Sequence, residues 1–401
     1  MGNELKEPPQ TSKHRLLFLI TEDWYFWSHR LDLARAAQRA GWEVLVATRV
    51  QDHAKRIEDE GFKLLPLRLI RSSWHPLQEI LAVLELIRLY RGERPDLVHH
   101  VALKPILYGS FAARITNVKA VVNAFPGLGY TFIVAGKKKG VLRFIIGKAL
   151  QWVLGLSNSR AVFQNEDDAA ELVKAGVVSR ERISIIRGAG VNTKIFAPPT
   201  RRTEGFLVVL AGRLLWDKGI GEFVKAARLL KANGIQSRFV LVGMVDRHNP
   251  AAIPEAQLRT WEAEGAIEWW GHREDMPSIL GSADIVVLPS YREGLPKVLL
   301  EAAACARPVV ATDVPGCREI VKDGVNGLLV PPKDPVSLSH AIAKLLQDPS
   351  LRAQMGASGR EIVLKEFSVN RISRQTLELY SELLAKTPAP VLHPLTHERQ
   401  G

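Results

Sequence analysis

The sequence is poor in cysteine and lacks any recognisable metal-ligand pattern. Its 401 residues include two cysteines, Cys305 and Cys317. Two cysteines are too few for a disulfide framework, and they predict reduced thiols in a cytoplasmic protein. The motifs C-x-x-C and H-E-x-x-H do not occur, and the 11 histidines show no zinc spacing. We therefore expect no bound metal.

Long apolar runs are also missing from the sequence. The longest uncharged run, Ala120–Gly136, contains Asn123, Pro126 and several glycines, and it falls short of a membrane-spanning helix. The first residues, "MGNELKEPPQTS", are polar and lack the apolar core of a signal peptide. These absences predict a cytoplasmic protein that does not cross a membrane.

Acidic residues are absent from one long stretch of a basic chain. The formal net charge is +12, and the stretch from Leu97 to Asn165 contains nine Lys or Arg residues and no Asp or Glu. Such a stretch attracts nucleic acid, anionic lipid or a phosphorylated acceptor. Because the charge accompanies apolar runs, and because no nucleic-acid-binding motif is present, we favour an anionic membrane surface and expect no nucleic acid partner.

What the sequence does contain is two series of short apolar runs that alternate with helical patterns. The first series begins with "RLLFLI" and the second with "FLVVLAGR". Alternation of buried strands with helices predicts a parallel sheet with helices on both faces. The predicted fold class is therefore α/β, with two Rossmann-like parallel-sheet domains that face each other across a cleft at the carboxyl ends of their strands.

The Pro-rich segment "APPTRRTE" separates the two series and predicts a linker. We expect a flexible N-terminus (1–14), a first domain (15–196), the linker (197–204) and a second domain (205–370). A C-terminal helix (371–388) should then pack back on the first domain, before a flexible tail (389–401). The aromatic segment "TEDWYFWSHR" is predicted to be a loop.

The segment "LAGRLLWDKG" at the start of the second domain predicts a phosphate site. Arg213 and Lys218 follow a strand end and a glycine, close to the start of a helix. Cations at a helix N-terminus bind phosphate, although solvated surface cations are equally compatible with the pattern. The spacing is not that of a P-loop.

The segment "EGLPKVLLE" places two acids eight residues apart. Glu293 is predicted to lie on a loop, and Glu301 in the helix that begins near Pro296. The two carboxylates could therefore meet different points of one extended ligand. The alternatives are a helix-dipole role for Glu293 and a structural hydrogen bond for Glu301.

Together with "RPVVATDVPGCREIVKDGVNGLLV", "AGVNTKIF" and "NAFPGLGYTF", these motifs resemble the family 4 retaining glycosyltransferases of the GT-B architecture. Within that family the chain is most similar to the bacterial capsule, O-antigen and lipid-linked-oligosaccharide subgroup, from about Leu16 to Leu384. The resemblance implies transfer of a sugar from a nucleotide sugar, most simply a UDP-sugar, to a lipid-linked or polysaccharide acceptor. It also implies a metal-independent enzyme without a cofactor, associated peripherally with the inner face of the cytoplasmic membrane.

On the donor side, the resemblance implies that Arg213 and Lys218 hold the diphosphate. Glu301 would bind the ribose hydroxyls, and Glu293 the transferred sugar as the catalytic carboxylate. The backbone of Gly294 and Leu295 would approach the phosphates and the sugar. The turn that begins with Gly271 and His272 would lie near the base.

On the first domain the chain departs from the family pattern. Many relatives have His-x-His at the end of a strand, but here the sequence is His99–His100–Val101. We expect His100 or Lys104 to supply the missing polar contact to the sugar, and we place Lys104 and His29 on the acceptor side. The segment Gly136–Leu156, with three lysines before an apolar helix, predicts the membrane contact, unless it is a buried helix with a basic loop. A nucleotide-sugar 2-epimerase of the same fold is the alternative function.

Overall fold

The computed structural model describes residues 14–70, 75–128, 137–199, 205–246 and 249–386. Within these ranges the chain forms a seven-stranded and a six-stranded sheet, in both of which all strand pairs are parallel. The prediction of two parallel-sheet α/β domains is confirmed.

The first sheet has the order β3-β2-β1-β4-β5-β6-β7. Its strands are β1 (Arg15–Glu22), β2 (Glu43–Arg49), β3 (Lys63–Pro66), β4 (Leu97–Val101), β5 (Ala120–Phe125), β6 (Ser159–Phe163) and β7 (Ile183–Ile185). Its helices are α1 (Asp23–His29), α2 (Leu31–Arg39), α3 (Ala54–Asp59), α4 (Pro76–Glu93), α5 (Leu103–Ile115), α6 (Lys137–Leu154) and α7 (Glu166–Lys174). Because parallel crossovers are right-handed, the reversal of direction after β3 puts α2 and α3 on one face and α4 to α7 on the other.

The second sheet has the order β10-β9-β8-β11-β12-β13. Its strands are β8 (Leu207–Ala211), β9 (Arg238–Val242), β10 (Glu268–Trp269), β11 (Ile285–Leu288), β12 (Val309–Thr312) and β13 (Gly327–Val330). Its helices are α8 (Ile220–Ala232), α9 (Glu255–Ala263), α10 (Met276–Ser282), α11 (Lys297–Ala304), α12 (Pro315–Ile320), α13 (Pro335–Gln347) and α14 (Pro349–Ile362). The central strands are fully buried, because helices cover both faces of the sheet.

The last helix, α15 (Val369–Ala385), returns to the first sheet. It follows a π-helical turn (Val363–Phe367) and packs on α2. Tyr380 is fully buried, and its hydroxyl lies 2.5 Å from His99 Nδ1. The C-terminal helix is thus part of the core of the first domain.

The predicted loop at residues 21–30 is wrong, because Asp23–His29 forms the helix α1. Aromatic side chains lower helix propensity, so the local pattern did not indicate a helix. Tertiary contacts decide its conformation. Phe26 is buried against Phe18 and Phe62, and the Asp23 carboxylate accepts the backbone N–H of Gln51 at 2.7 Å.

Several sequence expectations fall on parts of the chain outside the described residues. These are most of the predicted N-terminal segment (1–14), most of the linker (197–204) and the whole tail (389–401). Among the residues that are described, no helix combines the length and apolar character needed to cross a bilayer.

Candidate functional site

Glycines allow the loops at the strand ends of the second sheet to touch. Gly219 has φ +70°, and a Cβ atom there would lie 2.0 Å from the Pro289 carbonyl oxygen. A Cβ atom on Gly243 would lie 1.9 Å from the carbonyl oxygen of Gly212. These close approaches bring the turn after β8, which carries the predicted phosphate-binding cations, next to the loops after β9 and β11.

The two acids of "EGLPKVLLE" each form an ion pair with a lysine. Lys218 Nζ lies 2.5 Å from Glu293 Oε1, and Lys297 Nζ lies 3.0 Å from Glu301 Oε1. The Glu301 side chain is only 12% exposed. Burial raises the pKa of Glu301, and the Lys297 charge opposes that rise. Charged groups of both signs are therefore concentrated around the start of α11.

Arg213 lies at the same edge of the sheet, with its guanidinium 3.4 Å from the Asp246 carboxylate. The turn after β10 also ends here, since Gly271 has φ +67° and its carbonyl accepts the Gly243 N–H at 2.8 Å. His272 is exposed on that turn. The edge thus carries every residue that the sequence predicted for the donor side.

The loop after β11 makes direct contact with the first domain. A Cβ atom on Gly294 would lie 1.8 Å from the Pro126 carbonyl oxygen, so only glycine permits this approach. Asn165 Nδ2 donates to the Gly294 carbonyl at 2.8 Å. Leu295 packs against Gly188, where a Cβ atom would clash with its side chain. The first domain therefore fixes the position of this loop.

Arg292 fastens the same loop to helix α7. Its guanidinium donates to Asp168 at 2.6 Å and to Glu171 at 3.1 Å. Asp168 is buried, and its backbone N–H is in turn capped by the Asn165 side chain at 2.7 Å. Asn165 and Asp168 of the first domain thus bind two residues of this loop, Gly294 and Arg292.

His29 faces the cations of the second domain from the end of α1. Its ring stacks on Tyr25 with the centroids 4.2 Å apart. Burial, followed by the positive charges of Lys297 and Arg30 and, more weakly, Arg213, lowers the pKa of His29 to about 3. The imidazole is therefore neutral near pH 7. The sequence placed His29 on the acceptor side, and the structure shows that it also lies within electrostatic reach of the predicted donor-binding cations.

The expectation that His100 supplies a catalytic contact is not supported by the structure. Its Nδ1 lies 2.8 Å from Asn123 Oδ1 and its Nε2 lies 3.0 Å from the Tyr90 hydroxyl. The side chain is fully buried beneath α5. Because alternate residues of a strand point to opposite faces, His99 lies under α15 and His100 lies under α4 and α5. Both ring nitrogens of His100 are committed to the core.

Lys104 is likewise engaged within the first domain. Its ammonium lies 2.8 Å from Glu79 Oε1 and donates to the Ile70 carbonyl at 3.0 Å. The Tyr108 hydroxyl donates to the other oxygen of Glu79 at 2.7 Å. Through these buried contacts Lys104 connects α4 with α5. The structure therefore does not support the acceptor-side role that the sequence suggested for Lys104.

Four further residues contribute to this region that the sequence motifs did not indicate: Lys297, Arg292, Asn165 and Asp168. Lys297 was detectable, because Lys and Glu four residues apart on a helix form a pair. Asn165 was detectable only as a helix N-cap before "EDD". Their contacts with the opposite domain depend on residues more than a hundred positions away, and the sequence carries no local signal for such pairs.

Comparisons with known proteins agree with this geometry. Residues 15–163 match the family model described as Glycosyl transferase 4-like, and residues 191–362 match Glycosyl transferases group 1. The architecture is therefore that of the GT-B enzymes. The chain belongs to the group 1 glycosyltransferases, as the sequence motifs indicated, and the comparisons give no support to the epimerase alternative.

Two bacterial relatives align with most of the chain. N,N'-diacetylbacillosaminyl-diphospho-undecaprenol alpha-1,3-N-acetylgalactosaminyltransferase of Campylobacter jejuni is 28% identical over 383 residues, which cover 92% of this chain and 99% of the relative. UDP-Gal:alpha-D-GlcNAc-diphosphoundecaprenol alpha-1,3-galactosyltransferase of Escherichia coli is 25% identical over 321 residues, which cover 77% and 81%. Both names describe transfer to a lipid diphosphate.

A solved structure supports the fold. The crystal structure of Anabaena HepE in complex with UDP and glucose superposes with a TM-score of 0.75 and 20% sequence identity. The match covers 92% of this chain and 100% of that one. At this identity the likeness establishes the GT-B fold alone.

The contacts of Asp168 predict that Asp168→Asn lowers catalytic efficiency without unfolding the protein. The change weakens the hold on Arg292, and small displacements at a reacting centre cost roughly tenfold to a hundredfold in kcat/KM. Steady-state kinetics with thermal melting measure the effect. Asp167→Asn is the matched control, because Asp167 is exposed and its one ion pair within the described part of the chain is with Arg318, at 3.5 Å. Equal losses in the two variants would contradict the role of Asp168.

The buried network around His100 predicts a different outcome for His100→Leu. Tyr90 and Asn123 lose their buried partner, which should lower the free energy of unfolding by about 1–3 kcal/mol. The kcat of the folded fraction should stay at the wild-type value. Denaturant unfolding and active-site-normalised kinetics test this, and a large loss of kcat at unchanged stability would restore His100 as a catalytic candidate.

Proposed function

We propose that this glycosyltransferase is a retaining, metal-independent enzyme that transfers a sugar from a UDP-sugar to a lipid-linked acceptor. The observation that carries the proposal is the pairing of Lys218 with Glu293 and of Lys297 with Glu301 at the start of α11. This arrangement provides cations for a diphosphate and carboxylates for the hydroxyl groups on either side of it.

The cations supply the electrostatic part of the reaction. Departure of the nucleoside diphosphate develops negative charge, which fixed cations and a helix N-terminus stabilise. Arg213 and Lys218 were assigned to this task by the sequence, and the position of Lys297 adds a third cation. The described residues contain no cluster of three His, Cys, Asp or Glu side chains that could hold a metal ion. In our proposal the two lysines and Arg213 perform the charge stabilisation.

The carboxylates would bind the two ends of the donor. Glu301 is nearly buried and can accept hydrogen bonds from both ribose hydroxyls. Glu293 can accept hydrogen bonds from the transferred sugar once a phosphate replaces it as the partner of Lys218. The backbone of Gly294 and Leu295 would lie against phosphate and sugar, and the exposed turn at Gly271 and His272 would lie beside the base.

Retention of configuration has two possible routes. In the one that we propose, the acceptor attacks on the same face from which the diphosphate departs, and Glu293 positions the sugar and stabilises the developing positive charge. In the other, Glu293 forms a covalent glycosyl-enzyme, as retaining glycosidases do.

The names of the relatives support a proposal for the acceptor class. The Campylobacter and Escherichia enzymes are named for acceptors in which a sugar is joined to a lipid through a diphosphate. We therefore propose a lipid-linked diphosphate sugar as the acceptor, with a polysaccharide as the alternative. Such an acceptor would present its sugar to the cleft from the cytoplasmic face of the membrane.

The donor site predicts that Arg213→Ala and Glu301→Ala each reduce transfer by about a hundredfold or more, because each removes a charged contact to the donor. Radiolabelled sugar transfer to a lipid-linked acceptor measures the loss. Donor candidates come from a thermal-shift screen, since a true donor stabilises the folded state. Arg228→Ala is the control, because Arg228 is an exposed arginine of the same domain that pairs with Glu264.

The anomeric configuration of the product tests retention directly. NMR of the purified product should show the same configuration as the nucleotide sugar. An inverted product would refute the retaining mechanism. Wild-type rates in both site variants, with every active donor, would refute the assignment of the site.

We also propose that the first domain associates with an anionic membrane surface. The helices α4, α5 and α6 lie side by side on one face of the sheet. Large apolar side chains of α4 and α6 are more than half exposed: Leu77, Ile80, Leu81, Phe144 and Ile145. Lys148 is exposed on α6, and the Arg114 guanidinium lies 4.7 Å from the Trp152 ring. Apolar residues next to cations suit the interface of an anionic bilayer.

The exposed apolar residues predict that the double variant Leu81→Gln, Ile145→Gln binds vesicles of phosphatidylglycerol and phosphatidylethanolamine less well. Two buried leucine-sized side chains contribute a few kcal/mol, so the partition coefficient should fall by roughly tenfold or more. Co-sedimentation measures it. Leu364→Gln, an exposed leucine of the second half of the chain, is the control. Absence of vesicle binding by the wild-type protein would refute membrane association.

A further inference from the structure

A small cavity lies between α15 and the carboxyl ends of β5, β6 and β7. Its volume is about 20 Å³, which is room for one or two groups the size of a water molecule. The polar side chains that line it are those of Arg30, His99, Gln164, Ser373 and Thr376, and none of the lining residues is acidic.

Arg30 is a buried cation without a carboxylate partner among the described residues. Its side chain is 5% exposed, its single hydrogen bond is a long one of 3.3 Å to the His29 carbonyl, and its Nε is buried without any acceptor. An unpaired buried charge is costly unless another group compensates it. The guanidinium therefore offers several unused N–H donors at the wall of the cavity.

His99 adds a second unused polar atom. It is 3% exposed, and its Nε2 is buried without a hydrogen-bond partner. Burial, followed by the charge of Arg30, lowers the pKa of His99 well below its ordinary value, so the ring is neutral. Burial also raises the pKa of Tyr380, which keeps its proton. When the Tyr380 hydroxyl donates to His99 Nδ1, the ring proton lies on Nε2 and the cavity gains another donor.

The cavity adjoins the loop that we assign to the transferred sugar. Gly188 lines the cavity and packs against Leu295 of that loop. Gln164, another lining residue, precedes Asn165, which holds the Gly294 carbonyl. Arg30 also acts electrostatically on His29, which faces Lys297 and Arg213. The unpaired donors therefore lie directly behind the proposed reaction centre, on the side of the first domain.

We propose that Arg30 and His99 form a second anion site, in which the cavity takes one oxygen of a phosphoryl group distinct from the donor diphosphate. Two groups that each have an unused N–H donor, one of them charged, are the chemistry that binds a phosphoryl oxygen. The phosphate can come from free inorganic phosphate or from the lipid-linked acceptor. Only the second source rests on the proposed function.

The binding experiment uses the full chain with saturating UDP, so that the donor site is occupied. Inorganic phosphate should raise the melting temperature of the wild-type protein above that in sodium chloride of equal ionic strength. Arg30→Gln should weaken the apparent affinity for phosphate by roughly tenfold or more, since a charged hydrogen-bond donor is lost. Arg374→Gln, an exposed arginine on the helix that covers the cavity, should leave the phosphate response unchanged.

The stability of the variant separates an anion site from a structural arginine. In chloride buffer, Arg30→Gln should melt at the wild-type temperature or above, because an uncompensated buried charge is removed. Arg30→Lys, which keeps the charge but loses the planar fork, serves as a second variant if Arg30→Gln fails to fold, and it should also weaken the phosphate response. A wild-type protein that responds no more to phosphate than to chloride overturns the proposal. So does a full phosphate response in both arginine variants.

Kinetics with a short-chain lipid diphosphate acceptor distinguish the two sources of phosphate. A rise of tenfold or more in the acceptor KM of Arg30→Gln, at unchanged donor KM, assigns the site to the acceptor phosphate. An unchanged acceptor KM together with the phosphate-dependent melting shift assigns it to free phosphate. If no acceptor is ever glycosylated, the proposed function fails, while the melting experiment still decides the anion site.

Discussion

The contact between Gly294 and the first domain is the constraint on which the arrangement of the cleft depends. The absence of a side chain lets the loop after β11 approach the Pro126 carbonyl, and Asn165 donates to the Gly294 carbonyl at 2.8 Å. One residue before the glycine is Glu293, and one residue after it is Leu295. The geometry that a donor sugar meets is therefore shaped by both domains at once. A change in the position of the first domain would therefore also move Glu293, the proposed catalytic carboxylate.

The cations in the cleft are paired with carboxylates, and a bound ligand can replace those carboxylates. Lys218 and Lys297 each contact a carboxylate, and Arg213 lies 3.4 Å from Asp246. Charged side chains that face each other in a partly buried site remain hydrated or paired, because isolated charges are costly there. A diphosphate can replace the carboxylates as the partner of the cations. Arg30 differs from these cations, since no carboxylate of the described chain compensates it.

The two faces of the first sheet have different surroundings, and we propose different roles for them. One face is covered by α2 and α15, with His99 and Tyr380 at their contact. The other face carries α4, α5 and α6, whose exposed apolar residues suit a membrane surface. Strand β4 contributes one histidine to each face, because the side chains of His99 and His100 point to opposite sides of the sheet. A lipid-linked acceptor could thus reach the cleft while the opposite face of the domain stays folded under its own C-terminal helix.

The sequence by itself determined the two parallel-sheet domains and the family, because strand and helix periodicity and local motifs carry that information. It also proposed Arg213, Lys218, Glu293 and Glu301 for the donor side, and the structure brings these residues to one edge of the second sheet. It did not determine which face of β4 each histidine occupies, and its expectation for His100 was therefore wrong. It also missed helix α1, in which Phe26 is buried against Phe18 and Phe62. The contacts of Asn165 and Arg292 with the opposite domain were decided by tertiary structure alone. They join residues more than a hundred positions apart, and such pairs exist only after both sheets have formed.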